Sequence, residues 1–142
     1  MKRYFIDTNI FLRVLIKEDE KSFQECILLL KTIKENKLKA VTSSVVLAEI
    51  VWTLLSFYTF PKNRTAEAVE SIINLRGLQV LDNYNHRLAI KTFAQSKIKY
   101  IDALISSIKE ILEKKWIIIS YDRDFDKLNV IRKEPHDVYR NI

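Results

Sequence analysis

At 142 residues the chain has the length of one domain. A domain of that size buries roughly 70% of the surface its unfolded form exposes, so residues 1–142 are expected to fold around a single core. The net charge is +6, an excess that suits a polyanionic partner and equally suits helices kept in solution by lysine. One cysteine excludes a disulfide framework, one glycine excludes Gly-rich phosphate-cradling loops, and no uninterrupted apolar run is long enough to cross a membrane. The charged start MKRYFIDTN has no signal-peptide pattern, and the expected location is the cytoplasm.

Residues 3–6 (RYFI) read as a short buried strand that delivers Asp7, with Thr8 and Asn9, to the mouth of the helical run IFLRVLIK. A second helix is expected from about Glu20 to Lys37, with Phe23, Ile27, Leu30 and Ile33 at helical spacing and Asn36 near its end; Cys26 falls within it as core filling. LKAVTSS then reads as a strand ending in hydroxyls suited to capping. It leads into VVLAEIVWTLLSFY, whose apolar face is wide enough for a helix buried nearly all round. Phe57, Tyr58, Phe60 and Pro61 form an aromatic turn, followed by the helix AEAVESIINL with Thr65 as its cap and Gly77 as its stop.

Leu78 to Leu81 is a third strand and residues 85–96 an amphipathic helix. After the basic connector KIKY, Ile101-Asp102 opens the helix ALISSIKEILEKK. WIIIS, Trp116 to Ser120, is a buried strand by its β-branched run, YDRDFDKL is a turn, and residues 129–131 add an edge strand. Strands alternating with helices predict an α/β domain with a mainly parallel, helix-covered sheet.

Four acids punctuate this pattern: Asp7, Glu49, Asp102 and Asp122. Each has a plain structural role available. Asp7 and Asp102 suit helix N-caps, Glu49 shares a helical stripe with Thr53 and Ser56, and Asp122, Asp124 and Asp126 suit Asx turns. Glu49, however, is the only charge between Lys39 and Lys62. Independent caps and turns also have no reason to fall together at the carboxyl ends of parallel strands, where open α/β sheets bind their ligands. Several carboxylates held close need a cation between them at neutral pH, and an all-oxygen set implies Mg²⁺ or Mn²⁺. His86, His136 and Cys26 have no spacing for a zinc site, and no nucleophile has a neighbouring base.

The segments FIDTN, SSVVLAEI, IDALISS and ISYDRDFD, in this order and over nearly the whole chain, resemble the PIN-domain nucleases. The chain's compactness is most similar to the ribonuclease toxins of bacterial and archaeal toxin–antitoxin pairs, commonly called VapC-type. The resemblance implies one PIN-like domain with a sheet of four or five strands, and an acidic set of Asp7, Glu49, Asp102 and Asp122. Asn9 and Ser120 would support it, with Asp124 a weaker member. Ser120 stands where the family usually has Thr, which keeps the hydroxyl. Residues 96–101 lack the additional acid that some relatives carry there.

The expected chemistry is endonucleolytic cleavage of RNA. Asp7, Asp102 and Asp122 would be metal ligands and Glu49 would orient or deprotonate the attacking water, while Lys97, Lys99 and Arg123 would contact phosphates. The resemblance further implies a homodimer and an antitoxin partner. Two alternatives stay open: a PIN-like RNA-processing nuclease outside a toxin–antitoxin pair, and a module that binds RNA without cutting it. A receiver-like or phosphatase-like domain is disfavoured, because DTN lacks the second acid of a DxD pair.

Overall fold

The fold is that of a computed structural model, which describes residues 2–139. In chain order it runs β1 (Arg3–Ile6), α1 (Thr8–Leu15), α2 (Glu20–Lys34), β2 (Ala40–Thr42), α3 (Ser44–Ser56), α4 (Lys62–Ile73) and β3 (Leu78–Val80). Then follow α5 (His86–Gln95), α6 (Tyr100–Ser106), α7 (Lys109–Leu112), β4 (Trp116–Ile119), a 3₁₀ turn (Arg123–Lys127), β5 (Arg132–Lys133) and α8 (Pro135–Val138). The five strands form one sheet in the order β3-β2-β1-β4-β5, and every neighbouring pair is parallel. The chain therefore builds outward from β1 through β2 to β3, returns past its start, and continues with β4 and β5. The crevice at the carboxyl ends of β1 and β4, where the winding direction changes, is the position at which such sheets bind ligands.

Burial explains why these segments became these elements. All four residues of β4 are buried, and Phe5 and Ile6 of β1 are fully enclosed, as expected of central strands with helices packed over them. Ile10 and Phe11 of α1, Cys26, Leu29 and Ile33 of α2, and Val46, Ile50 and Leu54 of α3 face the same core at helical spacing. Asp7, Asp19 and Asn85 cap α1, α2 and α5 through side-chain oxygens.

Several elements depart from the sequence expectations. The run 103–115 is not one helix: α6 starts at Tyr100, and the Ser107 hydroxyl donates to the Leu104 carbonyl at 2.6 Å while accepting the Asn85 N–H at 3.0 Å. Ile108 then turns extended before α7, which lets Ile108 and Ile111 both reach the core. As a result Asp102 lies inside the first turn of α6 rather than at its cap.

Thr65 is likewise not a cap, because α4 begins at Lys62 and the Thr65 hydroxyl bonds back to the Pro61 carbonyl at 3.1 Å. The last strand is Arg132–Lys133 instead of residues 129–131. Arg132 anchors it through bonds to Asp126, Glu134 and the Ser120 carbonyl, and charged side chains on an edge strand also block pairing with another sheet. Nor is α3 buried nearly all round. It encloses Val46, Ile50 and Leu54 but leaves Trp52 67% exposed, with Phe57 beyond its end at 73%.

Gly77 has φ +89, and a Cβ there would meet the Ile33 carbonyl oxygen at 2.3 Å. Only glycine lets the approach to β3 pass this close to the end of α2. Gly77→Ala is expected to destabilise the fold by about 1–3 kcal/mol, read in urea unfolding as a lower midpoint at unchanged slope. An unaltered midpoint would mean that this backbone contact can relax without cost.

Candidate active site

The pairing of Ile6 with Ile119 brings the ends of β1 and β4 side by side, and the Asp7 N–H continues the ladder to the Ile119 carbonyl at 3.1 Å. Asp7 then turns the chain into α1. One carboxylate oxygen accepts the Thr8 N–H at 2.8 Å, and the other accepts the Ser120 hydroxyl at 2.6 Å and the Asn9 amide at 3.3 Å. The Ser120 oxygen also accepts from Asn9 Nδ2 at 2.9 Å and from the Asp122 N–H at 3.0 Å. Its single donor and both acceptor sites are thus in use, which only a hydroxyl could provide. The Asn9 side-chain oxygen accepts the Tyr121 N–H at 3.1 Å and completes the clasp between the two strand ends.

Beside this clasp, one oxygen from each of Asp102, Asp122 and Asp124 lie within 4.8 Å of one another. Asp122 caps the 3₁₀ turn by accepting the Asp124 N–H at 2.9 Å, which sets the spacing of the last two. Asp102 is 2% exposed, and its Oδ2 has no hydrogen-bond partner. Burial pushes the Asp102 carboxyl up to about 8; Lys99 opposes the shift, while Asp7 and Asp122 add to it. Burial also lifts Asp7 to about 6, against the Ser120 and Thr8 hydrogen bonds and with a contribution from Glu49. Asp122 goes the other way: against its own burial, the Asp124 N–H, the Asp102 carboxyl and Lys99 hold it below the usual range. With no cation bound, Asp102 keeps a proton that it shares with ionised Asp122.

The structure brings the expected acids to one place with one rearrangement. Asp124 joins Asp102 and Asp122 in the tight triad, whereas Asp7, expected as a direct ligand, stands beside it in the clasp. Glu49 projects from α3, half-buried, near enough to act on the charges of Asp7 and Lys99. Lys99 Nζ lies 3.6 Å from Asp122 Oδ2, and Lys97 and Arg123 are exposed at the rim. Lys127 was not among the expected residues, yet its ammonium sits 2.9 Å from Asp124 Oδ1 and 3.2 Å from the Lys97 carbonyl. Its place three residues after Asp124 in a polar turn was the available signal. Among the described residues no histidine or cysteine joins the acids: His136 pairs with Glu25 and Asp137, and Cys26 is buried.

A hard divalent cation fits this donor set. The ligating atoms are all oxygens, and the buried Asp102 Oδ2 lacks the partner that a buried polar atom requires. A cation there takes the place of the Asp102 proton.

The raised Asp102 carboxyl also makes the metal-free fold pH-sensitive. From the ordinary carboxylate range up to about 8, the folded chain holds a proton that the unfolded chain has released, so stability falls as pH rises through that window. In EDTA, urea-unfolding stability should decline between pH ~7 and ~8, above the range in which Asp7, pushed up to about 6, gives up most of its proton. Asp102→Asn should flatten that decline. Equal slopes in the two proteins would mean that Asp102 ionises like an exposed carboxylate.

Comparison with known proteins bears on the fold and the family. The fold is similar to that of a chain in the crystal structure of VapBC2 from Rickettsia felis bound to a DNA fragment from their promoter, with a TM-score of 0.64 at 20% sequence identity, covering 92% of this chain and 97% of that one. A sequence search of curated proteins gives no match. The PIN domain family model matches residues 4–131, a span that contains Asp7, Glu49, Asp102, Asp122 and Asp124. The chain belongs to the PIN domain family.

Proposed function

We propose that this protein is a metal-dependent endoribonuclease, the toxin of a toxin–antitoxin pair, that hydrolyses RNA phosphodiester bonds at a carboxylate-bound Mg²⁺ or Mn²⁺. The observation that carries the reading is the gathering of Asp102, Asp122 and Asp124 oxygens beside the switch point of a parallel sheet, with a buried Asp102 oxygen left unpartnered. Asp102, Asp122 and Asp124 would hold the ion, with Asp7 beside them. The ion supplies a bound water of lowered pKa and a positive charge for the phosphate.

The chain's own groups do the rest. Asn9 and Ser120 hold the Asp7 carboxylate in one orientation, so that it meets the ion without rearranging. Glu49, carried by α3, would orient the attacking water or accept its proton. Lys97, Lys99, Arg123 and Lys127 ring the acids with positive charge and draw in the phosphates of the strand. RNA as the substrate and an antitoxin as the partner rest on the family resemblance and on the likeness to the VapBC2 complex.

Exposed apolar surface supports protein contacts. Leu55 and Ile73 line a groove of about 460 Å³ between α3 and α4, and Trp52 and Tyr100 line another of about 430 Å³ beside Glu49. Such surface suits a second copy of the chain and an antitoxin segment. Among the described residues no helix is long and apolar enough to cross a membrane, in keeping with action in the cytoplasm.

Single-turnover cleavage of a labelled RNA tests the reading. Mn²⁺ should support cleavage and EDTA should stop it, Asp102→Asn should abolish it in a folded protein, and Glu49→Gln should slow it by roughly 10²-fold. RNA bound tightly but left intact with Mn²⁺ would replace the nuclease by a binding module. A loss under about threefold in Glu49→Gln would remove Glu49 from proton transfer.

A further inference from the structure

Lys99 is the N-cap residue of α6, three positions before Asp102, so the two side chains share a helix face. A cation at a helix N-terminus opposes the helix dipole, and the Lys99 side chain is 60% exposed, with open solvent to enter. Instead its ammonium lies 3.6 Å from Asp122 Oδ2, within the field of Asp102, Glu49, Asp122 and Asp7 together. Lys127 pairs instead with Asp124 and the Lys97 carbonyl, so its ammonium is already shared with a backbone oxygen.

The oxygens of Asp102, Asp122 and Asp124 suffice to gather one divalent ion. A second ion would have to draw on the acids left over, Asp7 and Glu49, together with Asp102 or Asp122 as a shared ligand. Those are the same carboxylates that act on the Lys99 ammonium. At such separations, like charges in a partly desolvated site repel strongly, so ammonium and second cation exclude each other.

We infer that Lys99 is a built-in counter-cation that limits the site to one divalent ion by holding its ammonium beside Asp122, one of the carboxylates that a second ion would have to share. Lys99 is thus a positioning residue for the metal, and its effect comes from its fixed charge. The inference rests on the metal reading given under the proposed function.

The test is Mn²⁺ binding to the full chain at pH ~8 without RNA, followed by calorimetry and by the electron paramagnetic signal of free Mn²⁺, where binding must first displace the Asp102 proton. The wild type should bind one ion. Lys99→Gln should bind two, the second at least about tenfold tighter than any second ion in the wild type. Lys99→Arg keeps the charge and should bind one, as should Lys91→Gln, which removes an equal charge from an exposed position on α5. Circular dichroism and thermal unfolding report whether each variant is folded.

One ion at unaltered affinity in both the wild type and Lys99→Gln would overturn the inference and leave the metal reading standing. Two ions in the wild type, or a second ion in Lys99→Arg or Lys91→Gln, would overturn it as well. No ion in any form would remove the metal reading and the inference together.

Discussion

The parallel pairing of β1 with β4, Ile6 against Ile119, decides where every charged group of the site stands. It brings Asp7 next to Ser120, and the Ser120 hydroxyl then ties the two strand ends together through Asp7, Asn9 and the Asp122 N–H. Were the register to slip by one residue, each side chain would move to the opposite face of the sheet. Asp7 would lose its donors and the polar clasp would be forced into the apolar core. The clasp itself resists such a slip, because the run Trp116–Ile119 is apolar and buried on both faces and does not by itself distinguish them.

Around that clasp the protein assembles negative charge that it does not neutralise completely. Asp102 is enclosed without a partner and Asp7 is enclosed with several, and both hold protons more tightly than free carboxylates do. Asp122 stays ionised because a backbone N–H and Lys99 stabilise it. The result is a site whose acids differ in readiness: one already charged, and others that release protons when a cation arrives. Such strain is common where binding matters more than stability, since a buried unsatisfied polar atom is otherwise removed in favour of packing.

The helices set the site's borders. α6 begins early enough to place Asp102 in its first turn, and the break at Ser107 lets the chain turn toward β4 within a few residues. α3 carries Glu49 to the other side of the acids while leaving Trp52 and Leu55 in solvent. Apolar exposure next to a charged centre separates two kinds of surface: the acids and nearby lysines suit ions and phosphate, and the exposed side chains of α3 and α4 suit protein surface.

Much of this was legible in the chain. Alternating strand and helix patterns identified an α/β fold with a parallel sheet, and β-branched runs located β4 to within one residue. The acids stood out as a candidate site, because polar residues in those places conflict with an otherwise apolar pattern, and the structure gathers Asp102, Asp122 and Asp124. The break of the 103–115 run, the shift of the last strand to Arg132–Lys133 and the short α8 were not legible. The first two depend on partners outside their own segment: Ser107 accepts from Asn85, and Arg132 reaches Asp126 and the Ser120 carbonyl, whereas α8 is held by its local capping pair Glu134 and Asp137. The membership of the triad was likewise a tertiary decision. Local sequence treats Asp122 and Asp124 alike as turn residues, and only the packing of the 3₁₀ turn against α6 puts an Asp124 oxygen beside Asp102. Periodicity sets which residues face inward, but distances between side chains on separate elements are fixed only when those elements pack.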